Sequence, residues 1–100
     1  MNGTPAIAGH ETELAGAWLE RKGSILADPV ARRIEQLIDQ HLVELGADPS
    51  GWEVLYRDPD DGRLWELTWP QAEMQGGGPP RLACLAIEAA RSKYGAMVDI

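Results

Sequence analysis

From residue 30 onward the apolar side chains fall at helical spacing. Val30, Ile34, Leu37, Ile38, Leu42 and Leu45 recur every three or four positions, while Arg32, Arg33, Glu35, Gln36 and Asp39 occupy the other face. Asp28-Pro29 supplies the start. The carboxylate can accept orphan backbone N–H groups, and a proline in the first turn has no N–H to leave unpaired. Gly46 supplies the stop, because glycine takes the left-handed conformation beyond a last helical turn at no Cβ cost. The pattern therefore predicts one long helix running to Leu45.

Period-two patterns flank it. On the N-terminal side, Glu13 to Arg21 and Ser24 to Asp28 read as strands around a Lys22-Gly23 turn, with Leu19 opposite Leu26 and Trp18 opposite Ala27. On the C-terminal side, Asp48-Pro49-Ser50-Gly51 fits a type I turn. Trp52 to Asp58 and Arg63 to Trp69 then alternate as a hairpin around Pro59-Asp60-Asp61-Gly62. Pairing Asp58 with Arg63 sets Tyr56 against Trp65, Val54 against Leu67 and Trp52 against Trp69, so one face collects the large apolar groups. These tryptophans read as core, with Trp69, beside Pro70, the one best placed to reach the surface. Leu82 to Ala86 reads as a buried strand and Glu88 to Tyr94 as a short helix ended by Gly95. The expected fold is α+β: a small antiparallel sheet packed by one long helix and a short C-terminal helix, in the order β-β-α-β-β-β-α.

One hundred residues suffice for one core. Residues 11–95 are expected to form the single domain, between a flexible tail over 1–10 and a loose end over 96–100. Sixteen acidic against nine basic residues leave a net charge of −7, a field that repels nucleic acid and anionic membranes and attracts a basic protein. A single cysteine excludes an internal disulfide, and the first residues lack the basic start and apolar run of a secretory signal, which points to the cytoplasm. No apolar run approaches the roughly 18 residues needed to span a bilayer.

Candidate chemistry is sparse. The two histidines, His10 and His41, stand far apart and no second cysteine accompanies Cys84, so neither a zinc site nor any cofactor is expected. Gly76-Gly77-Gly78 lacks the Lys-Ser/Thr of a phosphate loop, and Asp58, Asp60 and Asp61 lack the glycine and distant glutamate of a calcium loop. Together with Glu53, Glu66 and Glu73, those aspartates make a negative hairpin suited to a cationic partner. Nucleophilic catalysis through Cys84 or His41 has no convergent third group in the sequence.

The stretch GWEVLYRDPDDGRLWELTWPQAEMQGGGPPRL, residues 51–82, resembles the signature of the immunity protein 27 family of bacterial polymorphic toxin systems. Gly16-Ala17-Trp18, Arg33-Ile34-Glu35 with Leu37, and Ala89-Ala90 with Lys93-Tyr94 extend the resemblance over residues 14–94. The chain departs from it at Ala86-Ile87, where a Ser, Thr or Asp would cap the second helix. The resemblance implies a non-enzymatic antidote that binds a cognate toxin domain; the charge balance points to a basic toxin, a nuclease, and away from nucleic acid and membrane. Trp52, Tyr56 and Trp65 would be scaffold. Arg57, Asp58, Asp61, Glu66 and the loop from Gly76 to Arg81 match the family's polar and glycine positions. The partner-binding set so expected is Asp58, Asp60, Asp61, Glu66, Trp69, Glu73, Gly76, Gly77, Gly78 and Arg81. The rival readings are a small enzyme built on Cys84 or His41, and an acidic decoy for a nucleic-acid-binding protein.

Overall fold

Five antiparallel strands form the main sheet of the computed structural model, which describes residues 6–71 and 78–98. In chain order the elements are β1 (Glu13–Ala15), β2 (Trp18–Arg21), β3 (Ser24–Ala27), α1 (Pro29–Gln40), β4 (Val43–Ala47), β5 (Val54–Arg57), β6 (Leu64–Thr68), β7 (Arg81–Leu85) and α2 (Ile87–Tyr94), followed by a 3₁₀ turn over Gly95–Val98. The sheet runs β1-β7-β6-β5-β4, and β2 and β3 form a separate hairpin. The expected α+β order is kept, with the first strand divided in two and one strand added after α1.

The predicted registers are those observed, save the Trp52–Trp69 pair. Tyr56 faces Trp65 and Val54 faces Leu67 in the β5–β6 pair, and Leu19 faces Leu26 in the β2–β3 hairpin. Lys22 and Gly23 both take positive φ, as a tight hairpin with a right-handed twist requires. Because alternate residues point to opposite faces, the sheet carries two cores. Trp65, Leu67, Leu82 and Tyr56 pack with Ile34 and Leu37 of α1 on one side; Leu55 and Leu64 pack with Ala90 and Tyr94 of α2 on the other.

Two expectations are corrected. The long helix stops at Gln40: the N–H groups of His41 and Leu42 both bond to the Leu37 carbonyl, at 3.0 and 2.7 Å. Val43–Ala47 then pairs with β5 through a bulge between Glu44 and Gly46. Leu42 and Leu45 fit a helical period equally well, but as neighbours of a strand they reach opposite sides of the sheet, Leu42 the α1 core and Leu45 the α2 core. Gly46 is consequently no helix stop; a Cβ there would collide with the Met97 sulfur. Trp52 is the second correction. It is 69% exposed, because Asp48 Oδ1 draws in Ser50 Oγ and the N–H groups of Gly51 and Glu53 and holds residue 52 in the turn, so no Trp52–Trp69 pair forms.

Apolar residues near both ends also dock on the cores. Ile7 belongs to the α1 core, and the segment around it is strapped down by two arginines. Arg33 makes a bidentate pair with Glu11 at 2.7 Å and donates to the Ala6 carbonyl; Arg63 donates to the carbonyls of Glu11 and Ala8 while its guanidinium lies 5.0 Å from the Trp65 ring centre. At the other terminus Met97 and Val98 pack against the α2 core. Apolar residues in short, unpatterned segments give no periodic signal, and only the partner elements show where they dock.

Two consequences can be measured. Truncating the fully buried Trp65 to alanine should cost about 3 to 5 kcal/mol in chemical denaturation. The Glu11 carboxyl is held down at about 2, from 4.5, chiefly by hydrogen bonds from Arg33 and then by the Ala8 N–H. An acid depressed in this way contributes stability that is complete above its unfolded value and is lost as pH falls from 4.5 toward about 2. Glu11→Gln should therefore lower the urea midpoint at neutral pH and flatten its decline across that acid window; a variant whose profile overlays the parent's would show that the strap contributes nothing.

Candidate partner interface

The β5–β6 turn is built from its own aspartates. The Asp58 N–H donates to the Arg63 carbonyl at 2.9 Å and the Gly62 N–H to the Asp58 carbonyl at 2.8 Å, with Gly62 at a φ of +79°. Asp58 does not lie on the surface of the hairpin. Its carboxylate is fully buried, and Oδ1 accepts from the Asp60 N–H at 2.8 Å and faces His41 Nε2 at 3.0 Å. Asp61 accepts from the Arg63 N–H and side chain, contacts that hold its carboxyl below the usual range. Asp60 alone of the three points mainly to solvent, at 65% side-chain exposure.

The remaining expected contact residues are scattered. Glu66 lies on the α2 side, accepting from the Tyr94 hydroxyl at 2.8 Å and from Lys93, which also bonds Glu53. Burial, and then the Glu66 carboxylate, push the Tyr94 phenol far upward. Arg81 pairs with Glu13. Trp69 is half-buried against the α1 core. Gly78 is buried at a φ of +76°, with the Gln71 carbonyl where a side chain would begin. Glu73, Gly76 and Gly77 lie outside the described residues. Of the rival catalytic pair, Cys84 sits half-buried in β7 opposite Trp65, and His41 is engaged by Asp58.

What the fold does bring together is a cleft along α1. The helix packs over β1 and β7, and beside it an open cleft of about 760 Å³ is lined by Arg32, Glu35, Gln36, Ile38, Asp39, Gln40 and Tyr56. Glu35 and Ile38 are shared with a second, apolar hollow of about 330 Å³ that Trp18, Leu67, Trp69, Gly78 and Pro80 complete. The two run on from each other along one side of the helix. At the far end, Asp60 stands beside His41 at the cap of α1. Burial and the neighbouring Glu44 raise the Tyr56 phenol, so its hydroxyl stays neutral. The cleft and hollow thus combine aromatic and aliphatic surface with Glu35 and Asp39, and Asp60 opens to solvent beside His41 at the helix end.

From the base of the hollow the β2–β3 hairpin projects with Leu19, Ile25 and Leu26 exposed. Glu35, Ile38, Asp39 and Trp18 were not among the expected contact residues. Polar residues on an amphipathic helix ordinarily signal nothing beyond a solvated face; the cleft arises from where the helix lies on the sheet.

Comparison with known proteins agrees with the signature in residues 51–82. The family model described as Immunity protein 27 matches residues 20–86, more than half of the chain and a span that runs from β2 through β7. No curated protein and no solved structure matches it. No helix of the described residues is long and apolar enough to cross a membrane.

Gly78 offers a test of whether a signature glycine serves the fold. Alanine there meets both a positive φ and the Gln71 carbonyl, so Gly78→Ala should cost about 1 to 3 kcal/mol in thermal or chemical denaturation. An unchanged midpoint would free the position for a role in binding.

Proposed function

The chain belongs to the immunity protein 27 family and is thus an immunity protein of a toxin–immunity system, and we propose that it binds a cognate bacterial toxin domain and blocks it by protein–protein contact. The family match carries this reading. The antidote would act without catalysis, in the cytoplasm of the cell that makes the toxin of its polymorphic system, until the toxin is delivered to a rival.

The geometry supports the α1 cleft, with Asp60, Trp69 and Gly78 from the expected set at its two ends, as the contact face. An apolar floor rimmed by carboxylates suits a basic segment whose aliphatic or aromatic anchors fill the hollow while its cations meet Glu35, Asp39 and Asp60. A nuclease domain fits that description, since an enzyme acting on nucleic acid presents a basic cleft, and a net charge of −7 steers such a partner in before contacts form. Asp58, Asp61, Glu66 and Arg81 act in this reading by holding the scaffold, each through the internal bonds described above.

The test is co-expression with the toxin domain encoded beside this chain, followed by surface plasmon resonance. Glu35→Lys combined with Asp39→Lys should slow association about tenfold or more at low salt, with a smaller change in dissociation and a smaller effect at high salt. Both residues are exposed, so the melting temperature should move little. A double reversal that binds at the parental rate at every salt concentration would place the toxin on another surface.

A further inference from the structure

His41 caps the C-terminal end of α1, and its Nε2 stands 3.0 Å from Oδ1 of Asp58 and 3.5 Å from Oδ2 of Asp60. One ligand atom from each of the three lies within 4.8 Å of the others. Two of the side chains are enclosed, His41 at 8% exposure and Asp58 at 0%, while Asp60 opens to solvent. The second oxygen of Asp58 adds an independent observation. Oδ2 is buried without a hydrogen-bond donor among the described residues, and a carboxylate withdrawn from water is costly to leave half-satisfied.

We propose that His41, Asp58 and Asp60 form a binding site for a first-row divalent cation of borderline softness, with Zn²⁺ as the reference ion. The spacing fits. Ligand atoms about a tetrahedral Zn²⁺ with bonds of about 2.0 Å lie about 3.3 Å apart, and the two His41 distances fall on either side of that value. An ion between them takes the place of the His41–Asp58 contact and brings positive charge to two carboxylates. The imidazole favours Zn²⁺ and its neighbours over Mg²⁺ or Ca²⁺, which take oxygen ligands, and the solvent side at Asp60 leaves room for a water as fourth ligand. A bound ion would tie the end of α1 to the β5–β6 turn. No metal motif in the sequence marks the site, because its ligands come from a helix cap and from a turn in a different hairpin.

The full chain, stripped with a chelator, should bind Zn²⁺ at one saturable site by isothermal titration calorimetry, with a rise in melting temperature. His41→Gln and Asp60→Asn should each weaken that binding at least about tenfold, the loss expected even for an outer-shell partner. His10→Gln should leave it unchanged, and Mg²⁺ at equal concentration should not raise the melting temperature. Should His41→Gln fail to fold, Asp60→Asn on the exposed turn decides alone. Zn²⁺ that does not bind, binds Asp60→Asn as tightly as the parent, or is matched by Mg²⁺ would overturn the proposal and leave a histidine–carboxylate pair.

Discussion

The turn from Asp58 to Arg63 sets the register of the two central strands, and the rest of the molecule is built outward from that pairing. The Asp58 N–H to Arg63 carbonyl bond brings Tyr56 to Trp65 and Val54 to Leu67, which puts the largest side chains on the face that α1 covers. A slip of one residue would turn Trp65 toward α2 and Glu66 toward the α1 core. The flanking side chains carry the turn into the tertiary structure. Asp58 reaches inward to His41 at the end of α1, and Arg63 reaches across Trp65 to the backbone of the N-terminal strap. One hairpin end therefore joins helix, sheet and terminus.

The acidic surplus divides into two populations with different work. Asp28 accepts the N–H groups of Ala31 and Ala17 at the start of α1, Asp48 organises the turn before β5, Asp61 holds Arg63, Glu11 holds Arg33, and Glu66 receives Tyr94 and Lys93. These carboxylates are spent on orphan donors and cations within the fold. Glu35 and Asp39 line the cleft along α1 instead, and Asp60 opens to solvent beside the helix end. A net charge counted from composition treats both groups alike, whereas in the proposed reading a partner meets chiefly the second.

In the proposed reading the same division separates scaffold from contact face. The signature residues Asp58, Asp61, Glu66 and Gly78 each have an internal task in the structure: a buried acceptor, an arginine partner, a bridge to α2, and a close approach to the Gln71 carbonyl. The cleft draws instead on exposed positions of α1 and on Trp18 at the foot of the projecting hairpin. A scaffold held from inside leaves those surface positions free to differ in shape and charge, which is what recognition of one toxin among many demands.

Local patterns were enough to specify the elements whose partners are near in sequence. The Lys22-Gly23 and Asp58–Arg63 hairpins, their registers, the Asp28-Pro29 helix start and the Gly95 stop all follow from turn chemistry and periods of two or 3.6 that act over a few residues. The signature around residues 51–82 likewise identified the family from the chain alone. Tertiary structure decided the rest, because the competing states were close in local energy. Leu42 and Leu45 satisfy a helix or a strand, and the open edge of β5, by pairing with Val43–Ala47, selected the strand. Trp52 satisfies the strand pattern, yet the Asp48 turn holds it in water. Ile7 and the 3₁₀ turn carry no period at all and dock where Arg33, Arg63 and Gly46 leave places for them. The convergence of His41 with Asp58 and Asp60, and the cleft beside α1, exist only once a helix end and a hairpin turn meet in space, a relation between distant segments that no local spacing encodes.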